Sequence, residues 1–238
     1  INFSFEAYYK RTSNMLMRVP ESYTVTGEGY RWKNVGVMAN KGIELSADGD
    51  IIRTRDFTWN VSANVSYNQN RLKELYNGVT EYVNSTTGLK YVVGHSVSEF
   101  YLNRYAGVNP ANGEQLWYDK NGNITNEFRE GDKVMTGKTY DAPWMGGFGT
   151  SLRWKGLQLS AQFSWIGTRY VINNDRFFEE SGIMFGTAYN QSKRLLYDRW
   201  KQPGDITDIP CWGEVIQLDD RFLENASFLR LKNLSLSY

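Results

Sequence analysis

The stretch DFTWNVSANVSYNQN, from Asp56 to Asn70, alternates apolar and polar side chains almost without a break. The apolar positions are Phe57, Trp59, Val61, Ala63, Val65 and Tyr67, and the polar ones are Thr58, Asn60, Ser62, Asn64, Ser66 and Asn68. Successive side chains of a β-strand point to opposite faces, so this order predicts a strand with one apolar and one polar face. A helix, with ~3.6 residues per turn, would mix the two classes on every face.

The length of this strand narrows the fold classes. It is about twice the usual ~5–6 residues, and it matches the ~9–11 residues that a tilted strand needs to cross a bilayer. Aromatic side chains frame its apolar face, with Phe57 and Trp59 at one end and Tyr67 at the other. In a soluble β-sandwich the apolar face would be buried. In a membrane barrel it would meet lipid, and the polar face would line a wet interior.

Composition excludes several classes of protein. The 238 residues include 27 Lys plus Arg against 26 Asp plus Glu, a balance that argues against a nucleic-acid partner. Aromatics make up 15%, with 16 Tyr and 8 Trp, as membrane interfaces and carbohydrate or peptide surfaces favour. The mean hydropathy of −0.54 fits a barrel with a polar lumen and polar loops. No apolar run of ~18 residues is present, which argues against helical membrane spans.

The single Cys211 excludes an internal disulfide framework and a site built from several cysteines. We interpret it as a lone thiol in a loop. The chain begins at Ile1 without the charged and apolar regions of a signal peptide, and it ends at Tyr238 within a strand pattern. We therefore expect both ends to be cuts through a longer protein.

Other segments show the same alternation. They run from Ile1 to Val19, from Ile43 to Ala47, from Phe148 to Trp154, from Leu157 to Trp165 and from Phe228 to Tyr238. Short turns are predicted at Arg53 to Arg55 and at Lys155-Gly156. The apolar phase slips at Lys232-Asn233, which predicts a β-bulge.

Long connections separate these strands, at about 20–40, 71–141 and 171–225. The second contains two predicted strands, Ser98 to Val108 and Glu114 to Tyr118, which either cross a membrane or form a loop hairpin. The third contains a predicted helix near Ser192 to Trp200. Short turns that alternate with long connections are typical of bacterial outer-membrane barrels. A sandwich with its loops at one end stays open as the alternative.

Residues with catalytic potential are sparse. His95 is the only histidine, so a Ser-His-Asp arrangement would have to use it. It lies beside Ser96 and Ser98 in a segment without a clear strand pattern, where a solvated loop histidine is the default. We predict no catalytic residue and no enzyme activity.

Three acidic motifs resemble parts of metal or catalytic sites. The pairs Asp219-Asp220 and Glu179-Glu180 could act as paired acids or Ca²⁺ ligands, but we interpret both as solvated charge runs. Asp119, with two asparagines and a glycine after it, is interpreted as a turn. No metal or cofactor site is predicted.

Aromatic residues outside the predicted strands are the candidate binding residues. Their rings could stack on sugars or hold peptide side chains, and the alternative is loop packing or contact with a partner subunit. The candidates are Trp117, Tyr118, Trp144, Trp200 and Trp212. We interpret Trp59, Trp154 and Trp165 as members of a membrane-interface belt instead.

Several motifs together resemble one family. They are the run from Asn34 to Leu45, the DFTW motif from Asp56 followed by Asn64, Asn68 and Asn70, Pro143 followed by GGF from Gly146 and WKG from Trp154, Arg199-Trp200 before Pro203 and Pro210, and DRFLENASFLRLKNLSLSY from Asp220 to Tyr238. In this order they resemble the C-terminal part of the barrel in the SusC/RagA family of TonB-dependent outer-membrane transporters.

The resemblance implies an all-β fold. The expected structure is an antiparallel transmembrane β-barrel segment with long extracellular loops, about six to eight strands of a barrel of roughly 22. Residues 1–238 would form part of one TonB-dependent receptor β-barrel domain, and the plug, the TonB-contacting segment and the last strands would lie outside this chain. Phe57 and Trp59 would lie near the periplasmic rim and Tyr67 near the outer one.

The resemblance also implies a function and partners. The function would be import of oligosaccharides or peptides across the bacterial outer membrane, energised by the TonB complex, with a SusD-like surface lipoprotein as the lid and a dimer of such pairs as a further expectation. The candidate aromatic residues would contact substrate or lid, and part of the lid interface would lie in 71–141 and 171–225. A cysteine at Gly182 should react on intact cells and one at Lys155 should not. A barrel adhesin or structural barrel, and a barrel-embedded hydrolase, are the alternatives.

Overall fold

The chain folds almost entirely into antiparallel strands and short connecting elements in a computed structural model that describes residues 1–83, 89–181 and 190–238. The strands are β1 (Asn2–Pro20), β2 (Tyr30–Arg53), β3 (Phe57–Glu74), β4 (Glu81–Val83), β5 (Lys90–Val92), β6 (Glu99–Leu102), β7 (Arg104–Val108), β8 (Gln115–Tyr118), β9 (Ile124–Thr125), β10 (Val134–Thr139), β11 (Trp144–Trp154), β12 (Leu157–Gly167), β13 (Tyr170–Ile172), β14 (Leu223–Asn225) and β15 (Phe228–Ser237). The helices are α1 (Tyr23–Thr26), α2 (Asn174–Glu180) and α3 (Arg194–Tyr197), with 3₁₀ turns at Tyr76–Gly78, Glu130–Asp132 and Asp220–Phe222. Within these residues, no helix combines the length and the apolar character needed to cross a bilayer.

Six long strands form one sheet in the order β1-β2-β3-β11-β12-β15. Each pair in it is antiparallel, and the registers align the apolar face of β3 with one face of every other strand. One apolar row across the sheet reads Phe5, Leu45, Val65, Gly146, Trp165 and Leu229. The polar row beside it reads Ser4, Ser46, Asn64, Gly147, Ser164 and Arg230. The sheet therefore has one apolar and one polar face, as the sequence predicts.

The predicted bulge in β15 is confirmed. Gln162 lies opposite Asn233 and Phe163 lies opposite Leu231, so Lys232 is the extra residue in the register. Because the bulge absorbs one residue, the leucines before it and after it lie on the same apolar face.

Short turns lie at one end of this sheet. β2 and β3 are joined at 54–56 and β11 and β12 at Lys155-Gly156, and Phe57 lies opposite Trp154, so the two turns are at the same end. Lys155 and Gly156 have φ of 45° and 90°, the left-handed geometry that two-residue hairpins require. The longer connections leave from the other end, which confirms the predicted asymmetry.

The first long connection is shorter than predicted. β2 begins at Tyr30, opposite Pro20, so only 21–29 connects it to β1 rather than about 20–40. The half of β1 near Pro20 supplies the backbone partners of Tyr30 to Asn40. The apolar residues of this segment change parity, from Tyr30 and Trp32 to Val35, Val37 and Ala39, so they do not mark a single face. Pairing across the sheet decides this strand, and local pattern does not.

The described chain divides into two compact units. The first comprises Ile1–Glu99, Lys138–Arg169 and Ala226–Tyr238, and it contains the six-stranded sheet. Its buried apolar residues lie in or just after the halves of the first three strands that are farthest from the short turns. They are Val19, Val37, Ala39, Leu72 and Leu75. Outside these halves the sheet has no buried apolar side chain among the described residues.

The second unit comprises Phe100–Gly137 and Tyr170–Asn225. Its two small cores contain Phe100, Leu102 and Leu223, and Phe177, Ile216 and Phe222, and Ile172 packs against both. The predicted hairpin at 98–118 exists as β6, β7 and β8, but these strands belong to small sheets and do not extend the large one. α3 is shorter than the helix predicted near Ser192 to Trp200, and α2 was not predicted. Gly182 lies outside the described residues.

Candidate functional site

The apolar face of the sheet is a band of defined height. Along β3 it runs from Phe57 to Tyr67, about 33 Å of extended chain at ~3.3 Å per residue. With the ~35–45° strand tilt of a membrane barrel, this becomes about 25 Å along the barrel axis, the height of the lipid-facing band of such barrels. Phe57 lies opposite Trp154 at one border, and Tyr67 packs on Trp144 at the other, with ring centroids 4.6 Å apart.

The band is exposed. Phe5 is 58% and Leu229 63% exposed, and Phe148 in the middle of the sheet is 41% exposed. Beyond Tyr67 the same face carries Gln69 and then Arg71. A sandwich would cover the band with a second sheet, and the described residues do not do so. Exposed apolar area of this extent marks an interaction surface.

The polar face is lined mainly by small hydrogen-bonding side chains. The Tyr8 hydroxyl donates to Asn68 Oδ1 at 3.0 Å, and Asn70 Nδ2 donates to Asn40 Oδ1 at 3.0 Å. Asn70 Oδ1 accepts from the backbone N–H of Val97 at 3.1 Å, which fastens the segment around His95 to the end of β3. Asparagine at this position therefore joins the strand to the connection that follows it.

The side chains around His95 are a possible catalytic group in the sequence, and their contacts decide whether it is formed. His95 Nδ1 lies 3.0 Å from Glu99 Oε2, and Ser96 Oγ lies 2.9 Å from Ser98 Oγ. In the part of the chain that the structure describes, no serine hydroxyl bonds the His95 ring, so the contacts needed for a Ser-His-Asp nucleophile are not formed. Groups of three or more metal-ligating His, Cys, Asp or Glu are likewise absent from the described residues.

The five candidate aromatic residues differ in burial and in the unit to which they belong. Trp144, predicted to lie outside the strands, is the first residue of β11 and belongs to the apolar band of the first unit. Trp117 is 4% exposed and donates its indole N–H to Asp219 Oδ2 at 2.8 Å, so its ring is part of the interior of the second unit. The remaining three, in the second unit, differ in exposure.

Trp212 presents the most exposed of these rings. It is 71% exposed, with the Arg199 guanidinium 4.5 Å from its ring centroid. Trp200 is half-buried, donates to the carbonyl of Pro110 at 3.1 Å, and covers Gly113, where a Cβ would lie 2.5 Å from the ring. Tyr118 is half-buried, with the Arg104 guanidinium 5.3 Å from its ring centroid. Contact of these residues with substrate or lid stays a prediction.

The interpretation of Asp219-Asp220 as a solvated charge run is wrong for Asp219. This carboxylate is fully buried and accepts from Arg221 Nε at 2.8 Å and Nη2 at 2.7 Å, in addition to Trp117. Arg221 also donates to Gln115 Oε1 at 2.7 Å and stacks 3.5 Å from the Tyr105 ring centroid. A buried bidentate pair of this kind fixes geometry, and its bonds to Trp117 and Gln115 join two excursions of the chain that are about 100 residues apart.

The interpretation of Glu179-Glu180 as a solvated run is wrong for Glu180, which is 2% exposed. It pairs with Arg176 at 3.1 Å and with Arg194, and both arginines also pair with Asp208, at 3.1 Å and 2.7 Å. Burial opposes ionisation of Asp208, but the hydrogen bonds and charge of Arg194 outweigh it, with help from Arg176, so its pKa is lowered. Sequence could not reveal this network, because its members are up to 32 residues apart.

Local hydrogen bonds shape the turn at Asp119, and burial affects Tyr105. Asp119 Oδ1 accepts from the backbone N–H groups of Asn121 and Asn123, both at 2.8 Å, which confirms the predicted turn. Hydrogen bonds from Asn123 hold the pKa of Asp119 below its usual value. Burial raises the pKa of Tyr105 to about 12.

Comparison with known proteins places this sheet in a family. A family model described as "TonB dependent receptor-like, beta-barrel" matches residues 1–238. The TonB-dependent receptor SusC of Bacteroides thetaiotaomicron is 27% identical over 256 residues, an alignment that covers 100% of this chain and 24% of SusC. The TonB-dependent receptor P3 of Formosa agariphila is 26% identical over 261 residues, covering 100% of this chain and 25% of that receptor.

Solved structures agree with these relatives. A structure of the RagAB peptide transporter matches with a TM-score of 0.86 and 38% identity, over 98% of this chain and 26% of the matched chain. The RagAB peptide importer in its open-open state matches with the same TM-score and 37% identity. These names are those of receptors and transporters, and the chain spans about a quarter of their length. The chain belongs to the TonB-dependent receptor-like β-barrel family, in which it resembles the SusC and RagA receptors, and its six-stranded sheet is a segment of such a barrel.

Proposed function

We propose that this chain forms part of the wall of a bacterial outer-membrane barrel that imports nutrients. The apolar face of β3, from Phe57 to Tyr67, lies against lipid, and the polar face lines the lumen. The observation that carries this is the exposed apolar band, about 25 Å high in a tilted barrel and bordered by aromatic pairs at both ends. In water such a band would be costly, since exposed apolar area loses ~25 cal/mol per Å² relative to burial.

The orientation follows from the connections. Bacterial outer-membrane barrels have short periplasmic turns and long extracellular loops. The turn at Lys155-Gly156 is accordingly periplasmic, and the second unit, built from Phe100–Gly137 and Tyr170–Asn225, is formed by extracellular excursions.

The substrate is an oligosaccharide or a peptide, and the partners are a SusD-like surface lipoprotein as lid and the TonB complex as energy source. Support comes from similarity to SusC and to a transporter whose name specifies peptides. Residues 1–238 act as part of one barrel domain whose plug and remaining strands lie elsewhere in the receptor, and transporter–lid pairs form dimers. Trp212 is well placed to contact substrate or lid, because its ring is largely exposed in an extracellular excursion.

Cysteine labelling tests the orientation in the full-length receptor, with Cys211→Ser as background. Ile206 is 93% exposed in the second unit, and Lys155 lies in the short turn. We expect Ile206→Cys to react with a membrane-impermeant maleimide on intact cells and Lys155→Cys to react only after permeabilisation. The reverse pattern would contradict the orientation.

Growth assays test the transport itself. Deletion of the receptor gene should abolish uptake of one class of oligosaccharide or peptide, and deletion of the TonB-contacting segment should do the same. Unchanged uptake in both strains, with lost cell adhesion in the first, would favour the adhesin. Loss of a purified hydrolytic activity in His95→Ala would favour the hydrolase.

A further inference from the structure

Basic side chains follow the apolar band at its border farthest from the short turns. At that border Tyr67 lies opposite Ile43, which in turn lies opposite Ala7. The next row on the same face consists of Gln69, Lys41 and Tyr9, and the row after it of Arg71, Ala39 and Arg11. These two rows bring a basic cluster, Arg11, Lys41 and Arg71, from three adjacent strands to one face of the sheet.

The height of the basic cluster matches that of lipid headgroups. Each row is two residues farther along its strand, which is about 6.6 Å of chain, or about 5 Å along the axis of a barrel with the usual strand tilt. Lys41 is then about 5 Å beyond the aromatic border at Tyr67, and both arginines are about 10 Å beyond it. A bilayer has about 5–8 Å of headgroup region on each side of its hydrocarbon core, and long basic side chains can reach back into it.

Acidic residues of the chain neutralise only part of this charge. Arg11 pairs with Glu74 at 2.8 Å, and both side chains are more than half exposed. Arg71 Nη1 donates to the carbonyl of Gly94 at 2.5 Å, which orients the guanidinium without cancelling its charge. Neither Arg71 nor Lys41 forms an ion pair with any residue that the structure describes. Lys41 is moreover the diagonal neighbour of both arginines, at about 7–8 Å, so these like charges repel one another unless an anion lies between them.

The shape of the basic cluster suits a phosphate group. The small Ala39 separates Arg11 from Arg71, and two strand spacings of ~4.8 Å place their backbones about 10 Å apart. Two arginine side chains can close on one phosphate from that distance, and their planar forks match its oxygen atoms. The amide of Gln69 and the hydroxyl of Tyr9, in the row of Lys41, are further hydrogen-bond donors.

We propose that the basic cluster binds the phosphate of an anionic lipid in the outer leaflet of the membrane. The inference rests on the proposed function, because it requires the apolar band to lie in the bilayer and the short turns to be periplasmic. A lipid fits better than a soluble anion, because the apolar band continues directly below the cluster on the same face and would contact the acyl chains. The bound phosphate offsets the repulsion within the cluster and anchors this rim of the barrel at a fixed height in the leaflet.

The test measures which lipid contacts this rim in the full-length receptor, reconstituted in phosphatidylcholine vesicles. A fluorophore on Ala7→Cys, in a Cys211→Ser background, lies on the apolar face one row nearer the short turns than Lys41. Its quenching is titrated with nitroxide-labelled phosphatidic acid and, separately, with phosphatidylcholine that carries the same label. We expect phosphatidic acid to reach half-maximal quenching at a roughly twentyfold lower mole fraction, since each basic residue near the surface contributes roughly fivefold.

Variants assign this preference to the basic cluster. Lys41→Gln and Arg71→Gln should each reduce it roughly fivefold, and the double variant should abolish it. Arg71→Lys keeps the charge and should retain most of the preference. Lys10→Gln is the matched control, because it removes a positive charge at the same height on the polar face, and it should leave the preference unchanged. Quenching by phosphatidylcholine should be equal in every variant, which shows that each barrel has inserted.

A preference that survives the double variant, or that Lys10→Gln also removes, would overturn the proposal. Full displacement of phosphatidic acid by inorganic phosphate at constant ionic strength would do so too, because the cluster would then be a site for a soluble anion. Equal quenching by the two lipids in the wild-type receptor would overturn the lipid site and leave the lipid-facing wall in place. If neither lipid quenches the fluorophore, Ala7 does not face the bilayer, and the proposed function fails together with this inference.

Discussion

The six-stranded sheet and the second unit are stabilised in opposite ways. In the sheet, side chains alternate along each strand, and even its central aromatic residues, such as Phe148, remain 41% exposed. In the second unit, Phe222 and Asp219 are fully buried, and the chain is held by contacts between distant residues such as Trp117 and Asp219. The sheet therefore depends on what surrounds it, whereas the second unit carries its own interior.

The difference explains which unit tolerates which change. Each side chain of the sheet lies on one of its two faces, so the free-energy cost of a substitution depends on the surroundings of that face. A buried ion pair meets no solvent, and removal of one partner leaves an uncompensated charge whatever the surroundings.

The largest effect is expected for Asp219→Ala in the second unit. Removing this carboxylate leaves Arg221 buried without its partner, which costs about 3–5 kcal/mol. Hydrogen exchange in the full-length receptor should show faster exchange at β8 and β14 and unchanged exchange in the six-stranded sheet. Glu127→Ala is the control, because its ion pair with Arg129 is exposed, and it should leave exchange nearly unchanged. Exchange at β8 that Asp219→Ala does not accelerate would contradict the structural role of this pair.

The next effect sharpens the contrast between the two faces of the sheet. Ala63→Arg puts a charge on the apolar face of β3 near the middle of the band, where arginine costs ~2–4 kcal/mol in membrane barrels. Ser62→Arg, one residue away on the polar face, should cost far less. Urea titration of the receptor folded into bilayers measures both. Equal losses for the two variants would mean that the faces do not differ in environment.

The smallest effect is expected from pH. Because the pKa of Asp208 is lowered in the folded state, its contribution to stability is present above the ordinary Asp pKa of ~3.9 and is lost as pH falls through that value to the folded pKa. Protease sensitivity of the second unit should therefore rise in this acidic window. Asp208→Asn should reduce the pH dependence, and Asp175→Asn, in the first turn of α2, should leave it as in wild type.

Sequence predicts the sheet better than the second unit for a physical reason. The alternation of β3 and β12 and the phase slip at Lys232 are local signals of a period-2 structure, and all three are confirmed. The outer half of β2 escapes prediction, because its pairing with β1 outweighs its own weak pattern.

The second unit lacks such signals. Asp219 and Glu180 look like surface acids in the sequence, since Trp117, which bonds Asp219, and Arg194, which pairs with Glu180, come from other parts of the chain. Trp117 looks like a binding residue for the same reason. The sequence shows that it is aromatic but does not show that its ring is buried. Contacts of high sequence separation have to be seen in the folded structure.

The central claim is that odd-numbered residues of β3 face lipid and even-numbered ones face the lumen. Spin labels at single cysteines from Thr58 to Ser66, in the full-length receptor in bilayers, test it directly through collision with dissolved oxygen and with a water-soluble nickel chelate. We predict a period of two: labels at Trp59, Val61, Ala63 and Val65 should collide strongly with oxygen and weakly with the chelate, and the labels between them should not. Low oxygen collision at Ala63 and its odd-numbered neighbours would contradict the claim, because it would mean that the apolar band is covered by protein.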